Sequence, residues 1–405
     1  MSVSNDSEAE YRYLTSPRAI RERAAEILEA ARRDELAHWA LDEGKLPEVV
    51  ERVLRVTRAA YPALEQIPYH SRFRHFDVGG VARLDAFEDL LERSSADEQL
   101  AARAELVIIS VLLDAGAGPG WSYREIGGQV YARSEGLAVA SYHLFAGGGF
   151  SSAAARARAD AAGLLAFSNE SLLRAFQVSN ENPLAGASGR AELMRSLGRV
   201  VSDTPRYFGE RSPRLGNLAL HLRDEANGGS LPASAVLGCV LEALGPIWPS
   251  RERLADKNLG DVFRHSRFGL VPLHKLSQWL SYSLIEALEL SGVVVNSLNE
   301  LTGLAEYRNG GLFVDAEVLT LKDPSQRERL QRVDSDLIIE WRSLTVALLD
   351  RVAELLRDRL VLDARRLPLA RVLEGGTWSA GRQIAKEKRS DGGPPIQIES
   401  DGTVF

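Results

Sequence analysis

The chain has 405 residues, of which 45% are hydrophobic and 26% are charged. This composition is typical of a globular protein with a sizeable core, and it excludes the disordered and collagen-like classes. The formal net charge of −7 disfavours sequence-independent binding to nucleic acid, which normally needs a positive surface.

Cysteine content and polarity give expectations about location and partners. The single cysteine, Cys239, excludes an intrachain disulfide and a cysteine-based zinc site, as is typical of the reducing cytoplasm. The first ten residues lack the pattern of a secretory signal, and no segment approaches the roughly twenty apolar residues that span a bilayer. We expect a cytoplasmic protein that binds neither membrane nor nucleic acid.

Most of the chain has a helical pattern. Alanine, leucine, glutamate and arginine recur at spacings of three and four residues, which is the period of an α-helix. Ser16 and Pro17 predict a helix N-terminus, with the helix running toward Trp39 and Gly44 just past its end. Further helices are predicted at 46–59, 81–94, 97–115, 152–175, 190–203, 232–244, 272–291, 335–361 and 365–388.

Two short segments look extended, at 293–295 and at 310–314, where β-branched and aromatic residues follow two glycines. They are too short for a fold based on a sheet, so we predict an all-α fold with at most a few short strands. The stretches 178–189 and 203–232 are rich in Asn, Gly, Ser and Pro. We expect residues 1–405 to form one two-lobed helical unit, with the lobe boundary in 203–232.

The C-terminal tail, 389–405, begins with glycines and prolines but ends in apolar residues. We expect it to pack on the body of the protein. A frayed terminus is the alternative.

Standard catalytic motifs are absent from the sequence. It contains no phosphate-binding loop of the G-x-x-x-x-G-K-[ST] type, no H-E-x-x-H and no G-x-S-x-G. The seven histidines show neither an i,i+4 pair nor a shared spacing with carboxylates. We therefore expect no metal site and no cofactor.

The segment 69–77 places two arginines and two histidines among aromatic residues, directly before a Gly-Gly turn. Forked, charge-assisted hydrogen bonds from such a group suit a phosphate or a sugar phosphate. The candidate phosphate ligands are His70, Arg72, Arg74 and His75. The alternative is a solvated basic loop that its aromatic side chains anchor to the core.

The helix that begins near Asp334 carries an apolar stripe with Glu340 and Arg342 at its two edges. Residues two apart on a helix do not face each other, so each charge needs a partner elsewhere. Structural ion pairs explain such residues as well as catalysis does. Asp334 or Asp336 is the simplest N-cap for this helix.

Two further patterns precede this helix in the sequence. On the preceding helix, Lys275 and Glu286 are ends of a polar and aromatic face, for which a position at the solvent edge is the simplest explanation. Between the helices, Glu306, Tyr307 and Arg308 are consecutive and are followed by an asparagine and two glycines. A carboxylate held beside Arg and Tyr stays ionised and oriented, as stabilising a cationic transition state requires.

The chain closely resembles the protein family encoded with the URC route of uracil catabolism in fungi and bacteria. The resemblance lies in the C-terminal half, at 306–315, 340–345, 376–382, 393–396 and 400–405, and it extends to 70–77 and 133–139. The association of that family with the route implies a pathway that passes uracil through its nucleotide and a ring-opened ribosylurea phosphate.

A more distant similarity concerns chemistry. Queuosine-phosphate N-glycosylases, which are related in fold to helix-hairpin-helix DNA glycosylases, show Lys-x-x-Gln, then Leu-Thr before acid-Tyr-Arg, then Glu-x-Arg. This chain has the same order, at Lys275 and Gln278, at 301–302 and 306–308, and at 340–342. The resemblance implies a two-lobed helical fold of that class, with Glu306 as the catalytic carboxylate and Lys275 as a substrate or phosphate contact.

The match also has departures. That family carries Asp where this chain has Glu306, which moves the carboxylate by about one carbon–carbon bond. Asp114 and Trp121 correspond to a pocket segment of that family, although the glycine-rich residues between them align poorly.

The resulting hypothesis is hydrolysis of the N-glycosidic bond of a small ribosyl phosphate, most concretely N-ribosylurea 5-phosphate to urea and ribose 5-phosphate. Glu306 would stabilise the oxocarbenium-like state. Urea leaves poorly unless it is protonated, so a second acid is needed, with Asp315, Asp336 and Glu340 as candidates. Lys275 would join the segment at 70–75 in holding phosphate, and Arg308 or Arg342 would orient carboxylates.

Three alternatives stay open. A phosphoribosyltransferase would need an α/β phosphate-binding pattern that the sequence lacks. An amidohydrolase acting on the urea group would need an activated water or nucleophile that no motif supplies. A non-catalytic subunit that binds pathway enzymes would make 306–311 a simple polar turn.

Overall fold

The fold is built almost entirely from helices. The computed structural model describes residues 5–153, 156–248, 252–254 and 256–399. The only regular strands in these ranges form two-stranded ribbons. The predicted all-α class is confirmed. Within the same ranges, no helix combines the length and apolar character needed to cross a membrane.

The α-helices of the described ranges are α1 (Asn5–Leu14), α2 (Pro17–Arg32), α3 (Leu46–Ala60), α4 (Phe73–Phe76), α5 (Arg83–Leu91), α6 (Ala96–Leu112), α7 (Arg133–Ala146), α8 (Ala161–Leu165), α9 (Asn169–Ala175), α10 (Ala187–Asp203), α11 (Pro205–Phe208), α12 (Asn217–Asp224), α13 (Ala233–Leu244), α14 (Lys275–Glu289), α15 (Tyr307–Asp315), α16 (Asp336–Leu360), α17 (Leu369–Val372) and α18 (Trp378–Lys388). A π-helical turn, Leu373–Thr377, joins α17 to α18.

The strands are β1 (Trp39–Leu41), β2 (Ser122–Arg124), β3 (Val130–Ala132), β4 (Ser230–Pro232), β5 (Arg253–Leu254), β6 (Lys257–Asn258), β7 (Val262–His265), β8 (Gly269–Pro272), β9 (Val294–Asn296), β10 (Leu319–Leu321), β11 (Gln331–Arg332) and β12 (Ile398–Glu399). The antiparallel pairs are β1 with β10, β2 with β3, β5 with β6 and β7 with β8. The pairs β4 with β9 and β11 with β12 are parallel.

The first long helix begins where it was predicted but ends early. The Ser16 side chain accepts a hydrogen bond from the amide of Ala19, and Pro17 occupies the first turn. The helix ends at Arg32, so the predicted extension to Trp39 is wrong. Trp39 starts β1, stacks on Trp341 and donates its indole N–H to a carbonyl of α16. Tertiary packing therefore decides this boundary.

The predicted helix at 152–175 is wrong as one element, because in the described part of this stretch the chain forms α8 and α9. Asp160 caps α8 and Ser168 caps α9, each through its side-chain oxygen. Gly163 lies so close to the backbone of Phe150 that a Cβ on Gly163 would be 2.2 Å from the Phe150 carbonyl oxygen. Short polar side chains that accept hydrogen bonds from nearby amides begin a new helix in this way, so the stretch is divided.

The predicted extended segment at 293–295 is confirmed by β9, whereas the one at 310–314 is wrong, because it lies inside α15. Its first glycine serves helix packing instead, and the second faces Pro395 of the tail. A Cβ at Gly310 would lie 2.9 Å from both Trp341 and Thr345 of α16. A Cβ at Gly381 of α18 would lie 2.2 Å from the Arg308 carbonyl oxygen. The glycines let α15 pass between α16 and α18.

The long helix α16 packs against α2, α3 and α15, and α14 packs against α6 and α13. The N-cap of α16 is Ser335, whose side chain accepts a hydrogen bond from the amide of Ile338, so the assignment of the cap to Asp334 or Asp336 is wrong. The predicted solvent-edge face of α14 is also wrong. Lys275 is 8% exposed, and the rings of Trp279 and Tyr282 are buried.

The stretch 203–232 contains α11 and α12, and buried apolar residues on both sides of it belong to one continuous cluster. The two-lobed division stays a prediction. In the described part of the tail, Ile396 is buried and Ile398 pairs with Gln331 of β11. Arg389 forms a bidentate ion pair with Asp315 at 2.7 and 2.6 Å. Residues 400–405, the last part of the predicted tail, lie outside the described residues.

Candidate functional site

One cavity of about 370 Å³ brings together segments that are far apart in the sequence. Its walls come from the loop around 70–75, the glycine-rich loop 114–119, the N-terminal ends of α7 and α14, the residues before α15, and the tail at 391–394. The predicted site residues that line it are His70, His75, Asp114, Lys275, Glu306 and Tyr307. Its volume falls within the range of roughly 300–1,000 Å³ typical of small-molecule sites.

Glu306 is the N-cap of α15. Its backbone is extended, and its carboxylate accepts hydrogen bonds from the amides of Arg308 at 2.7 Å and Asn309 at 2.6 Å. These contacts fix both oxygens at the N-terminal end of the helix. The cap therefore presents an oriented carboxylate to the cavity.

Lys275 begins α14, and the Asp261 carboxylate accepts from its backbone amide at 2.9 Å. Its ammonium group lies 5.8 Å from the centre of the Trp279 ring, and it makes no hydrogen bond or ion pair with any residue of the described ranges. Burial lowers the pKa of Lys275, and the carboxylates of Glu306 and Asp114 partly oppose that effect. The cavity thus holds a cation that is open to an anionic ligand.

Asp114 also lines the cavity. Arg72 donates to its Oδ2 atom at 2.8 Å, and the Ser134 hydroxyl donates to the same oxygen. Arg72 is itself fully buried and is held by the hydroxyls of Ser110 and Ser283. Both contacts fall on Oδ2, so among the described residues the Oδ1 atom has no hydrogen-bond partner and is left for a ligand.

Aromatic rings form another wall. The His70 ring lies 6.3 Å from Trp279 and 6.1 Å from Trp378, and His75 packs edge-on against both indoles. Burial and, to a smaller extent, the charge of Arg72 lower the pKa of His75 well below its ordinary value, so this ring is neutral. His70 differs, because its Nδ1 atom lies 2.7 Å from the Glu374 carboxylate.

The described part of the tail closes one side of the cavity. Arg308 donates to the Gly392 carbonyl oxygen at 2.7 Å, and Arg133 donates to the Asp391 carbonyl oxygen at 2.7 Å. Arg308 also covers the Tyr307 ring. Arg308 does not line the cavity, and its predicted role at the site stays a prediction.

The remaining predicted site residues lie outside the cavity, where other groups engage them. Arg74 pairs with Glu286, Gln278 donates to Thr302, and the Trp121 indole donates to the Phe176 carbonyl oxygen. Asp315 pairs with Arg389, and Asp336 accepts from Ser266. Arg342 makes a bidentate pair with Asp261, and Glu340 lies 3.5 Å from His265. The cavity therefore contains none of the three predicted leaving-group acids, Asp315, Asp336 and Glu340.

Sequence reasoning missed several lining residues, among them Arg133, Ser134 and Trp378. A Gly-Thr-Trp-Ser segment carries Trp378, and an Arg-Ser pair opens α7, which was not among the predicted helices. Their signal in the sequence was the family resemblance alone. Nowhere in the described ranges do three or more His, Cys, Asp or Glu side chains group as metal ligands.

Comparison with known proteins covers nearly the whole chain. Residues 13–405 match the family described as "Protein of unknown function (DUF1688)". The chain is 40% identical over 402 residues to "Protein urg3" of Schizosaccharomyces pombe, covering 97% of this chain and 98% of that protein. It is 34% identical over 435 residues to "Uracil catabolism protein 4" of Lachancea kluyveri, with the same two coverages. The chain belongs to the DUF1688 family.

Proposed function

We propose that the protein acts in uracil catabolism and hydrolyses the N-glycosidic bond of N-ribosylurea 5-phosphate, giving urea and ribose 5-phosphate. The name of the relative from Lachancea kluyveri supports the pathway. The similarity of the Lys275, Glu306 and Glu340 segments to those of queuosine-phosphate N-glycosylases supports the reaction type.

The observation that carries the proposal is an ammonium group without an ion-pair partner in the described ranges, in the same cavity as an oriented carboxylate. Lys275 and Glu306 both line that cavity, and the Glu306 carboxylate raises the pKa of Lys275 against the larger effect of burial. A ribosyl phosphate has the complementary groups, an anionic phosphate at one end and a carbon that becomes cationic at the other. Lys275 binds the phosphate in this proposal, and Glu306 faces C1′.

Cleavage proceeds through an oxocarbenium-like state. As the C1′–N bond lengthens, positive charge develops on the ribose ring, and the Glu306 carboxylate stabilises it without needing to reorient. A water molecule then bonds to C1′ and passes a proton to that carboxylate. The aromatic wall limits the entry of other water, and Asp114 Oδ1 accepts a hydrogen bond from the substrate.

The test is incubation of the purified protein with synthetic N-ribosylurea 5-phosphate, with urea and ribose 5-phosphate followed by mass spectrometry. The Glu306→Gln variant should lose about two or more orders of magnitude in turnover. Asp160→Asn is the matched control, because Asp160 also caps a short helix through its carboxylate but does not line the cavity. It should keep its turnover.

Other outcomes have distinct meanings. Ammonia without urea would contradict glycosidic cleavage and assign the protein to amide hydrolysis. Binding of the substrate without turnover would favour a non-catalytic subunit.

A further inference from the structure

His70 and Glu374 form a histidine–carboxylate pair at the wall of the cavity. The Nδ1 atom of His70 lies 2.7 Å from Glu374 Oε2, and the His70 side chain is 5% exposed. Because an ionised carboxylate only accepts hydrogen bonds, Nδ1 carries the proton in this contact. The ring lines the cavity, and its Nε2 atom has no hydrogen-bond partner in the described part of the chain. Nε2 is therefore the nitrogen left for a ligand.

The backbone fixes both members of this pair. The amide of His70 donates to the Ala370 carbonyl oxygen at 3.0 Å, which ties the loop to α17. Glu374 lies in the π-helical turn between α17 and α18. Gly376 of that turn packs so closely on α3 that a Cβ would lie 2.5 Å from Val53 and Thr57. Such π-helical turns occur frequently at functional sites.

The pair also lies near the groups of the proposed reaction. The Trp279 ring is the common neighbour, with the Lys275 ammonium 5.8 Å and the His70 ring 6.3 Å from its centre. Lys275 and His70 both line the cavity beside this ring, so a ligand that fills the cavity can contact both.

We propose that His70 is the general acid that protonates the leaving nitrogen, and that Glu374 is its positioning residue. This inference rests on the proposed function and supplies the acid that it lacks. A carboxylate on Nδ1 holds an imidazole in one tautomer and stabilises the imidazolium ion.

The step balances as follows. In this step His70 begins as the imidazolium ion, with one proton on Nδ1 facing Glu374 and the other on Nε2. The C1′–N bond breaks, its electron pair goes to the urea nitrogen, and the Nε2 proton transfers to that nitrogen, so that neutral urea leaves. The oxygen of water bonds to C1′, and its proton goes to Glu306. That proton then returns through solvent to His70, which restores both groups.

Other groups in the cavity fit this role less well. His75 is neutral, its Nδ1 atom is buried without a partner in the described ranges, and the charge of Arg72 opposes its protonation. Asp114 accepts hydrogen bonds from Arg72 and Ser134, so its carboxylate is engaged as an acceptor rather than as a donor. Within the described ranges, neither group has a carboxylate that orients it as Glu374 orients His70.

The experiment compares two substrates with different needs for a proton. N-Ribosylurea 5-phosphate requires protonation of its leaving group, whereas the nitrophenolate of p-nitrophenyl β-ribofuranoside 5-phosphate leaves without a proton. His70→Gln should lower turnover of the ribosylurea by about 100-fold and leave the nitrophenyl substrate within about threefold. Glu374→Gln should lower turnover of the ribosylurea by about tenfold and also spare the nitrophenyl substrate.

His143→Gln is the matched control, because His143 also pairs with a glutamate, Glu125, at 2.7 Å but does not line the cavity. It should change neither activity. An equal loss on both substrates in the His70 and Glu374 variants would overturn the inference and indicate a role in binding or folding. No turnover of either substrate by the unaltered protein would instead overturn the proposed function itself.

Discussion

Two Glu-aromatic-Arg triplets, at 306–308 and at 340–342, have the same residue pattern but different surroundings. In the first, Glu306 caps α15 and lines the cavity, and Tyr307 lies beside it. In the second, Arg342 makes a bidentate ion pair at 2.7 Å for both contacts, and the Trp341 indole donates to the Gly310 carbonyl oxygen. One triplet faces a cavity, and the other holds helices together.

The position of each triplet relative to its helix causes this difference. Glu306 precedes the first turn of α15, so its extended backbone turns the carboxylate back onto free amides. Glu340 lies in the second turn of α16, where the amides already bond within the helix, so its side chain points to neighbouring elements. The same Glu-aromatic-Arg pattern thus lines a cavity or joins neighbouring elements according to where a helix begins.

The largest expected effect is on stability, from the loss of the ion pair between Arg342 and Asp261. Arg342→Met leaves the Asp261 carboxylate buried without its charge partner, so the free energy of unfolding should fall by about 3–5 kcal/mol. Arg308→Met removes a bond to a neutral carbonyl and should cost only about 1.5 kcal/mol. Urea denaturation measures both. Equal losses would contradict the distinction between the two arginines.

The second prediction separates the two glutamates by activity. Glu306→Gln and Glu340→Gln should each cost about 1 kcal/mol of stability, because each keeps one amide oxygen as an acceptor. On N-ribosylurea 5-phosphate, Glu306→Gln should lower kcat by about 100-fold, whereas Glu340→Gln should stay within about threefold. A comparable loss in Glu340→Gln would place the second triplet in the reaction as well.

The third prediction concerns the phosphate. If Lys275 holds it, Lys275→Met should reduce the preference for N-ribosylurea 5-phosphate over N-ribosylurea by about tenfold, chiefly through KM. Lys257→Met is a suitable control, because Lys257 is also a lysine that lies over an aromatic ring, Tyr11, but outside the cavity. An unchanged preference in Lys275→Met would exclude a phosphate contact.

The helical period predicted most of the fold, and tertiary contacts explain the errors. Predicted helices such as 46–59 and 335–361 correspond to α3 and α16, because each has a continuous apolar stripe. The prediction of an extended segment at 310–314 is wrong, since Gly310 serves the close approach of α15 to α16 rather than an extended strand. That contact lies between residues about thirty positions apart, which periodicity does not report.

The site was predictable in part. Residue chemistry and resemblance led to Lys275 and Glu306, which line one cavity. The partner of each charge was not predictable, because an ion pair such as Arg342 with Asp261 joins residues 81 positions apart. Glu374 carried no signal at all, since its importance arises only from its contact with His70.

The smallest expected effect tests the contrast between Lys275, which has no ion-pair partner in the described ranges, and Arg342, which is paired with Asp261. Because burial lowers the pKa of Lys275, the folded state binds this proton less tightly than the unfolded state does. The resulting loss of folding stability is fully present below the pKa that Lys275 has in the folded state. It decreases as the pH rises through that value toward the ordinary pKa of 10.5. Lys275→Met should therefore raise the free energy of unfolding at pH 7 by about 1 kcal/mol.

This gain should shrink between pH 7 and about pH 10, and urea denaturation at the two values measures it. A gain that stays constant with pH would mean that the folded protein does not disfavour the charge. A loss of stability at pH 7 would mean that Lys275 is a paired structural cation like Arg342. A pH-dependent gain together with a lost preference for phosphate would identify a charge that the protein keeps for its ligand at the expense of stability.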